Sequence, residues 1–274
     1  MSKIAYDPVK DRFARIVRFS KKLRKFFYTL LDLFFLRSWH IRRILLNKGG
    51  EFEEKGSWKL LDAGSGFGQY DYFLLKNFPG ISIDSIDVKE DYLEDNKRFF
   101  DEDIENGRIR FQKRDLLELD ASGEFDMVIC IDVLEHIEND VKAIGNLSRS
   151  LKRNGYFLMH SPSHYSKEDA NGDDTFVGEH ARTGYSKAEI EKKLMEADLL
   201  PIKTHYTYGT WGRRAWTLSV KWPMILFNRL NILAVIPLLF YYPVVLPFCL
   251  LMNLADLYTR NNKGNGIYAL ARKI

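Results

Sequence analysis

The sequence predicts an α/β fold: a Rossmann-like, seven-stranded sheet with helices on both faces. Three observations support this prediction. Short apolar runs alternate with helical patterns through the middle of the chain, which is typical of parallel strands joined by right-handed crossovers. A glycine-rich turn follows the first apolar run. The length of 274 residues suits one such domain with additions. The additions are a basic N-terminal helical segment and a hydrophobic insertion between the last two strands.

The N-terminal segment, residues 1–50, is predicted to be a basic amphipathic helical region. Apolar residues recur there near helical spacing, and the segment carries a formal charge of +10 against −6 for the remainder. This asymmetry favours an anionic partner, either a membrane or a nucleic acid. Its apolar run at 26–36 is too short to span a bilayer and lacks a small-residue cleavage site, so no cleaved signal peptide is expected. Gly49 and Gly50 are expected to end the segment.

The core is predicted to occupy residues 51–210, with its final strand at 263–274. The expected strands are 58–63, 81–87, 109–113, 125–131, 155–160, 200–208 and 266–272. The expected helices are 70–77, 92–103, 138–151 and 186–197. Ser186 is a suitable N-cap for the last of these, with Glu189 at capping-box spacing.

The insertion, residues 211–262, contains 24 uncharged residues at 232–255, which is long enough to cross a hydrocarbon core. Pro237, Pro243 and Pro247 are expected to kink or break a helix there. If the last two strands share one sheet, the chain must leave and return on the same side. A single crossing is then excluded, and a re-entrant hairpin or interfacial helices remain open. Cations flank both ends, which favours the cytoplasmic face. The alternatives are a hydrophobic cap on the protein and a dimer interface.

The strongest chemical signal is the stretch 60–68, in which Asp62 precedes Gly64, Gly66 and Gly68. Glycines after a strand allow a tight turn and a close approach of backbone to ligand. The spacing differs from the dinucleotide-binding G-x-G-x-x-G, and no G-K-[ST] follows. An acidic residue before the glycines would repel a pyrophosphate, so it suits a ligand that carries an ammonium group.

These residues resemble the first motif of the class I S-adenosylmethionine-dependent methyltransferases, an acidic residue followed by G-x-G-x-G. The resemblance implies that the loop wraps the methionine part of S-adenosyl-L-methionine. Asp87, at the end of the second strand, is suited to accept hydrogen bonds from the ribose hydroxyls. By the same resemblance, Asp115 accepts from the adenine amino group and the Leu116 amide lies at the ring.

The fourth-strand region, 125–137, closely resembles the family motif at that position and includes Ile131 among the expected cofactor contacts. Its V-L-E-H ending is frequent in the small-molecule branch of the family, which includes quinone-biosynthesis methyltransferases. The resemblance covers about residues 58–160 and fades after residue 165. In the family the seventh strand is antiparallel and lies between strands five and six.

Methyl transfer to oxygen usually needs a base near neutral pKa. His160, His164 and His180 are the candidates, because the first two follow the fifth strand and the third lies in a polar loop. No metal is expected, since Cys130 and Cys249 form no metal-type spacing.

The combined hypothesis is O-methylation of a lipophilic small molecule, such as a quinone, pigment or lipid-like acceptor, at the membrane surface. Residues 1–49 and 211–262 would contact the membrane. A nucleic-acid methyltransferase would be expected to carry an N/D-P-P-Y/F tetrapeptide after strand four. This chain has Asp132-Val133-Leu134-Glu135 there, which disfavours a nucleic-acid partner. The alternatives are an RNA or protein methyltransferase that uses the basic arm, and a non-catalytic cofactor-binding scaffold. The oligomeric state stays open.

Overall fold

The computed structural model describes residues 20–169 and 181–274. The strands are β1 Trp58–Ala63, β2 Ile81–Asp87, β3 Ile109–Lys113, β4 Phe125–Ile131, β5 Leu151–Pro162, β6 Leu199–Thr207 and β7 Gly266–Lys273. The helices are α1 Lys21–Phe34, α2 Leu36–Glu53, α3 Gln69–Asn77, α4 Glu90–Phe99, α5 Asp101–Glu105, α6 Asp140–Ser150, α7 Lys187–Glu196, α8 Thr210–Trp216, α9 Trp222–Leu230 and α10 Val235–Tyr258.

The strands form one seven-stranded sheet in the order β3-β2-β1-β4-β5-β7-β6. The pairs among β1 to β5 are parallel, while β7 runs antiparallel to both β5 and β6. The predicted fold class and the predicted position of the seventh strand are therefore confirmed. Since β6 thus runs parallel to β5, the carboxyl-terminal ends of β1, β4, β5 and β6 lie at the same edge of the sheet. We call this the carboxyl edge.

Both faces of the sheet are buried, as the unbroken apolar strands require. Successive residues of β4 show the arrangement: Ile129 packs in one core cluster and Cys130 in the other. The first cluster includes residues of α1, α2, α3 and α4, and the second includes residues of α6 and α7. The helices therefore cover the sheet on both sides.

Two predicted helix boundaries were wrong. The N-terminal helical region does not end at Gly49 and Gly50, because α2 continues through both glycines to Glu53. A Cβ atom on Gly49 would lie 2.4 Å from the Phe78 ring, so this glycine permits close packing within a helix. The helix expected at 92–103 is split into α4 and α5 at Phe100, where the backbone leaves the helical conformation (φ −99°, ψ 23°) and the side chain is buried.

The predicted hydrophobic insertion is a helical hairpin in the structure. Its first arm comprises α8, a π-helical turn at Thr217–Lys221, and α9. Asn231 then adopts a positive φ of 49°, and α10 returns antiparallel to the first arm. Tyr241 and Tyr242 donate hydrogen bonds of 2.9 Å to the carbonyl oxygens of Leu218 and Ser219, which join the two arms.

The prolines do not break the helix, although a break was one of the two expected effects. Pro243 and Pro247 lie inside the continuous helix α10, and the chain reverses earlier, at Asn231. Each proline removes one helical hydrogen bond. The tyrosine contacts to the first arm help to hold α10 in place despite that loss.

The hairpin is unusually apolar and exposed. Within the described ranges, Thr210–Tyr258 is the one helical stretch long and apolar enough to cross a membrane, and 11% of its most apolar window is buried. This criterion rests on length and composition alone, and the reversal at Asn231 divides the stretch into two arms.

The hairpin base is held by a buried carboxylate. Asp256 is fully buried and accepts hydrogen bonds from the Gly212 amide at 3.0 Å and from Asn261 Nδ2 at 3.1 Å. The carboxylate therefore connects both arms to the chain that leads into β7.

We predict that Asp256→Ala destabilises the fold, because it leaves buried donors without an acceptor. The expected loss in free energy of unfolding is about 2–4 kcal/mol, which lowers Tm by roughly 4–12 °C in a chain of this size. Thermal unfolding in one fixed detergent measures the shift. Glu102→Ala, at an exposed side chain, is the control. Equal Tm values for both variants would contradict the assignment.

Candidate functional site

The glycine loop between β1 and α3 has the backbone geometry that its sequence suggests. Gly64 has a φ of +87°, and a Cβ atom there would lie 2.3 Å from Val133 Cγ2. Gly66 has a φ of +51°, and a Cβ atom there would meet nothing within 4 Å. The loop thus lies against the chain that follows β4 and leaves free space on its other side.

Asp87 at the end of β2 fixes this loop. Its Oδ2 accepts a hydrogen bond of 2.9 Å from the Gly66 amide, and its Oδ1 accepts one of 2.9 Å from the Lys89 amide. The side chain is largely buried. Each carboxylate oxygen keeps a lone pair that can accept from a sugar hydroxyl. By contrast, both carboxylate oxygens of Asp84 form a bidentate ion pair with the Arg110 guanidinium.

Asp62 forms a buried pair with Asp71 of α3. Burial raises the pKa of Asp71 to about 7, although a 2.9 Å hydrogen bond from Ser85 Oγ opposes the shift. Burial and the neighbouring Asp71 raise the pKa of Asp62 well above its usual value. Two carboxyl groups this close cannot both ionise cheaply, so the pair retains one proton at neutral pH.

The polar atoms around the loop fit S-adenosylmethionine. Within the described chain, Ser65 Oγ is buried without a hydrogen-bond partner, whereas the Asp62 carboxyl pairs with that of Asp71. A buried acceptor of this kind is costly unless a donor reaches it, and the ammonium group of the cofactor is such a donor. The lone pairs of Asp87 and the open space at Gly66 suit the ribose.

Asp115 and Leu116, which were expected at the adenine, lie in the loop after β3, and Ile131 was expected among the other cofactor contacts. The exposed Asp115 accepts a 2.8 Å hydrogen bond from the Leu117 amide. Leu116 is buried, and its carbonyl accepts from Asn146 Nδ2 at 2.7 Å. Ile131 is the last residue of β4 and is nearly buried.

A charged network occupies the carboxyl edge beside the loop. Asp132, with a φ of 54°, directly follows β4 and precedes Val133, the residue that contacts Gly64. Its Oδ2 pairs with the guanidinium of Arg37, and its Oδ1 lies 2.6 Å from Nδ1 of His160. This carboxylate is therefore held from two sides.

His160 is enclosed within this network. The side chain is about 5% exposed, and its Nε2 lies 3.2 Å from Thr207 Oγ1. Burial and the charge of Arg37 lower the pKa of His160 well below its usual value. The neutral ring then donates from Nδ1 to Asp132 and accepts at Nε2 from Thr207.

The other two candidate histidines have different positions. His164 is half-buried in a short helical turn, with Nδ1 3.3 Å from the Tyr185 carbonyl oxygen and its ring 3.9 Å from that of Tyr165. His180 lies outside the described residues.

Sequence reasoning missed three residues of this site. Asp132 stood within the fourth-strand motif, where its position after an apolar strand was an available signal. Asp71 and Arg37 lie on helices and give no local signal, because the contact of each with its partner depends on how its helix packs on the sheet.

We predict that Asp71→Asn stabilises the protein at high pH. The folded pair binds a proton that the unfolded chain has released above about pH 4, so wild-type stability falls as pH rises toward 7. The amide group of the substituted side chain donates a hydrogen bond at every pH and so replaces the shared proton. Tm should exceed that of the wild type by roughly 3–8 °C at pH 8, with the difference vanishing near pH 5. An unchanged Tm at both values contradicts the shared proton.

Comparison with known families identifies the central region. Residues 61–157 match the family model described as "Methyltransferase domain". Two curated relatives are ubiquinone biosynthesis O-methyltransferases. The protein from Rickettsia conorii is 31% identical over 102 residues, covering 37% of this chain and 34% of that protein. The protein from Rickettsia akari is 29% identical over 114 residues, covering 42% and 44%. The chain thus matches less than half the length of each.

Solved structures share the fold over a longer stretch. A putative sarcosine dimethylglycine methyltransferase from Galdieria sulphuraria has a TM-score of 0.60 at 17% identity, covering 86% of both chains. Magnesium protoporphyrin IX methyltransferase from Synechocystis, with bound SAH, has a TM-score of 0.56 at 15% identity, covering 98% of this chain and 96% of that one. Residues 61–157 thus match a methyltransferase domain, and the chain shares the fold of these solved methyltransferases.

Proposed function

We propose that this protein transfers the methyl group of S-adenosylmethionine to an oxygen atom of a lipophilic small molecule at a membrane surface. The observation that carries the proposal is the position of the Arg37–Asp132–His160 network. It adjoins the cofactor loop through Val133, and it adjoins the apolar hairpin through Thr207, the last residue of β6.

In this proposal, Asp132 is the group that binds the hydroxyl of the acceptor. Bound S-adenosylmethionine supplies a methyl group that is already activated, so the protein mainly aligns the acceptor and excludes water. The Asp132 carboxylate accepts the hydroxyl hydrogen bond and then the proton. Arg37 and His160 keep its two oxygens oriented.

The histidines then have separate roles in the proposal. His160 is a positioning residue, because its enclosed ring has both nitrogens within hydrogen-bonding distance of the fold. His164 is more accessible and remains a candidate for contact with the acceptor. His180 remains a candidate from sequence alone.

The acceptor class is inferred from chemistry and from relatives. The names of the Rickettsia relatives indicate O-methylation in ubiquinone biosynthesis. An acceptor of that kind, a quinone precursor, pigment or lipid-like molecule, partitions into membranes. An enzyme held at the membrane therefore meets it at a raised local concentration.

The exposed surface of α10 supports contact with the bilayer. Seven large apolar residues recur every three or four positions along its whole length and are exposed: Ile236, Phe240, Val244, Phe248, Leu251, Leu254 and Tyr258. A stripe that runs the length of a helix suits a helix lying in the interface. The cation Arg229, close to the reversal at Asn231, favours this arrangement over a deep insertion.

The charges around the hairpin favour the cytoplasmic leaflet. Arg213 and Arg214 precede the apolar part, and Arg260 and Lys263 follow it. Cationic residues beside a membrane segment favour the cytoplasmic side and attract anionic lipids.

We predict that Asp132→Asn lowers kcat by about 10²–10⁴-fold, because the amide cannot take the acceptor proton. The measurement is transfer of radiolabel from S-adenosylmethionine into organic-soluble products of a lipid extract from the source cells. Cofactor affinity should change little, since Asp132 holds the acceptor. Asp87→Ala is the matched control and should lose cofactor binding itself.

Radiolabel in RNA or protein instead would show that the acceptor is a macromolecule and not a lipophilic small molecule. Cofactor binding without labelled product would favour a non-catalytic scaffold. Full activity of Asp132→Asn would remove Asp132 from the acceptor site.

We also predict that the double substitution Ile236→Asp with Phe240→Asp lowers partitioning into lipid vesicles by at least about tenfold. These side chains are 62% and 76% exposed, and each contributes about 1.5–3 kcal/mol if buried in lipid. Co-sedimentation with vesicles measures the change. Met195→Asp, an exposed apolar position on α7, is the control. Equal loss in both proteins would contradict a specific role for the hairpin.

A further inference from the structure

We propose that Arg24 is a positioning residue for the cofactor loop, and that α1 thereby couples contact with an anionic bilayer to affinity for S-adenosylmethionine. The inference rests on the proposed function and adds a regulatory contact to the same site. It is carried by the two opposite surfaces of α1. One surface holds the loop, and the other is apolar, basic and exposed.

The inner surface of α1 binds the backbone of the glycine loop. Arg24 is 5% exposed, and its Nη2 donates to the Phe67 carbonyl oxygen at 2.7 Å. The hydroxyl of Tyr28, one turn later, donates to the same oxygen and accepts from Arg24 Nε at 2.7 Å. One loop carbonyl therefore receives two donors from α1.

A second connection passes through α4. The Arg24 guanidinium also donates to Asn96 Oδ1 and, at 2.8 Å, to the Asp95 carbonyl oxygen. Asn96 in turn donates from Nδ2 to the Gly66 carbonyl oxygen at 2.9 Å. Since Gly66 also donates its amide to Asp87, Arg24 supports the part of the loop that orients the proposed ribose ligand.

The outer surface of α1 has the composition of a membrane-contact helix. Leu23, Phe26, Leu30 and Phe34 recur at helical spacing, and Leu23 and Phe26 are 37% and 58% exposed. Exposed lysines, Lys22 and Lys25 among them, lie beside this stripe. An apolar stripe next to cations fits an anionic lipid surface.

The stripe meets the hairpin at its C-terminal end. The Phe34 ring packs against the Tyr242 ring of α10, with centroids 5.4 Å apart. When α1 is docked, a bilayer can contact helix and hairpin together, whereas a detached α1 loses this joint contact. The bilayer therefore binds the docked state more tightly, and the docked state is the one that holds the loop. Linkage then requires that lipid raises cofactor affinity.

The test is equilibrium binding of radiolabelled S-adenosylmethionine to the full chain, with and without vesicles of phosphatidylcholine and phosphatidylglycerol in equal amounts. Vesicles should tighten the wild-type Kd by at least about fivefold. Phe26→Asp should leave the vesicle-free Kd unchanged and remove the vesicle effect. Arg24→Gln should weaken the Kd by at least about tenfold and also remove the effect.

Two further variants separate positioning from a general loss of folding. Arg24→Lys keeps the charge but loses the forked contacts, and Tyr28→Phe removes one of the two donors to Phe67. Both should keep the cofactor-free Tm within about 2–4 °C of the wild type, a change of about 1 kcal/mol, while weakening the Kd severalfold.

Wild-type Kd values in folded Arg24→Gln and Arg24→Lys would overturn the positioning role. A wild-type Kd that vesicles leave unchanged would overturn the coupling, and so would tightening by an RNA oligonucleotide in place of vesicles. A wild-type chain that binds neither cofactor nor vesicles would refute the proposed function itself. Binding of both without coupling refutes only this inference.

Discussion

Strand β7 lies antiparallel between β5 and β6, and this position determines where the hairpin and the charged network lie. It pairs Thr207 with Gly266 at the end of the sheet, so the intervening hairpin must leave and return at the carboxyl edge. The same pairing brings Thr207 to His160 on β5, and His160 to the Asp132 carboxylate. The apolar hairpin and the charged network are therefore neighbours because of sheet topology. A hairpin attached at the opposite edge would place the apolar surface far from the site.

The carboxylates at and near this site are stabilised in different ways, and the differences indicate their roles. Arg110 neutralises Asp84, and Arg37 neutralises Asp132. Asp62 and Asp71 instead share a proton, because burial raises the pKa of both. A paired carboxylate keeps its charge when buried, whereas a proton-sharing pair readily accepts a cationic ligand. This contrast supports an ammonium group beside Asp62 and a neutral acceptor hydroxyl beside Asp132.

The N-terminal helices unite these features. Arg24 on α1 reaches the glycine loop, and Arg37 on α2 reaches the end of β4. Phe34, near the junction of the two helices, contacts Tyr242 of the hairpin. A segment that the sequence marks mainly by its basic charge thus contributes to the cofactor loop, to the acceptor network and to the apolar surface. In our proposal, contact with a membrane would reach the cofactor loop through α1 and would leave the sheet unchanged.

The order of strands and helices along the chain and the glycine loop follow from the sequence alone, because hydrophobic period and glycine spacing are local properties. The sequence also restricted the insertion to a path that returns to the same side. The position of Gly49 inside a helix against Phe78 and the reversal of the hairpin at Asn231 are visible only in the folded structure. Only the folded structure joins Arg37 to Asp132, since residues so far apart in the chain have no shared local pattern. Such contacts depend on which strands and helices pack side by side, and this is fixed only when the whole sheet folds.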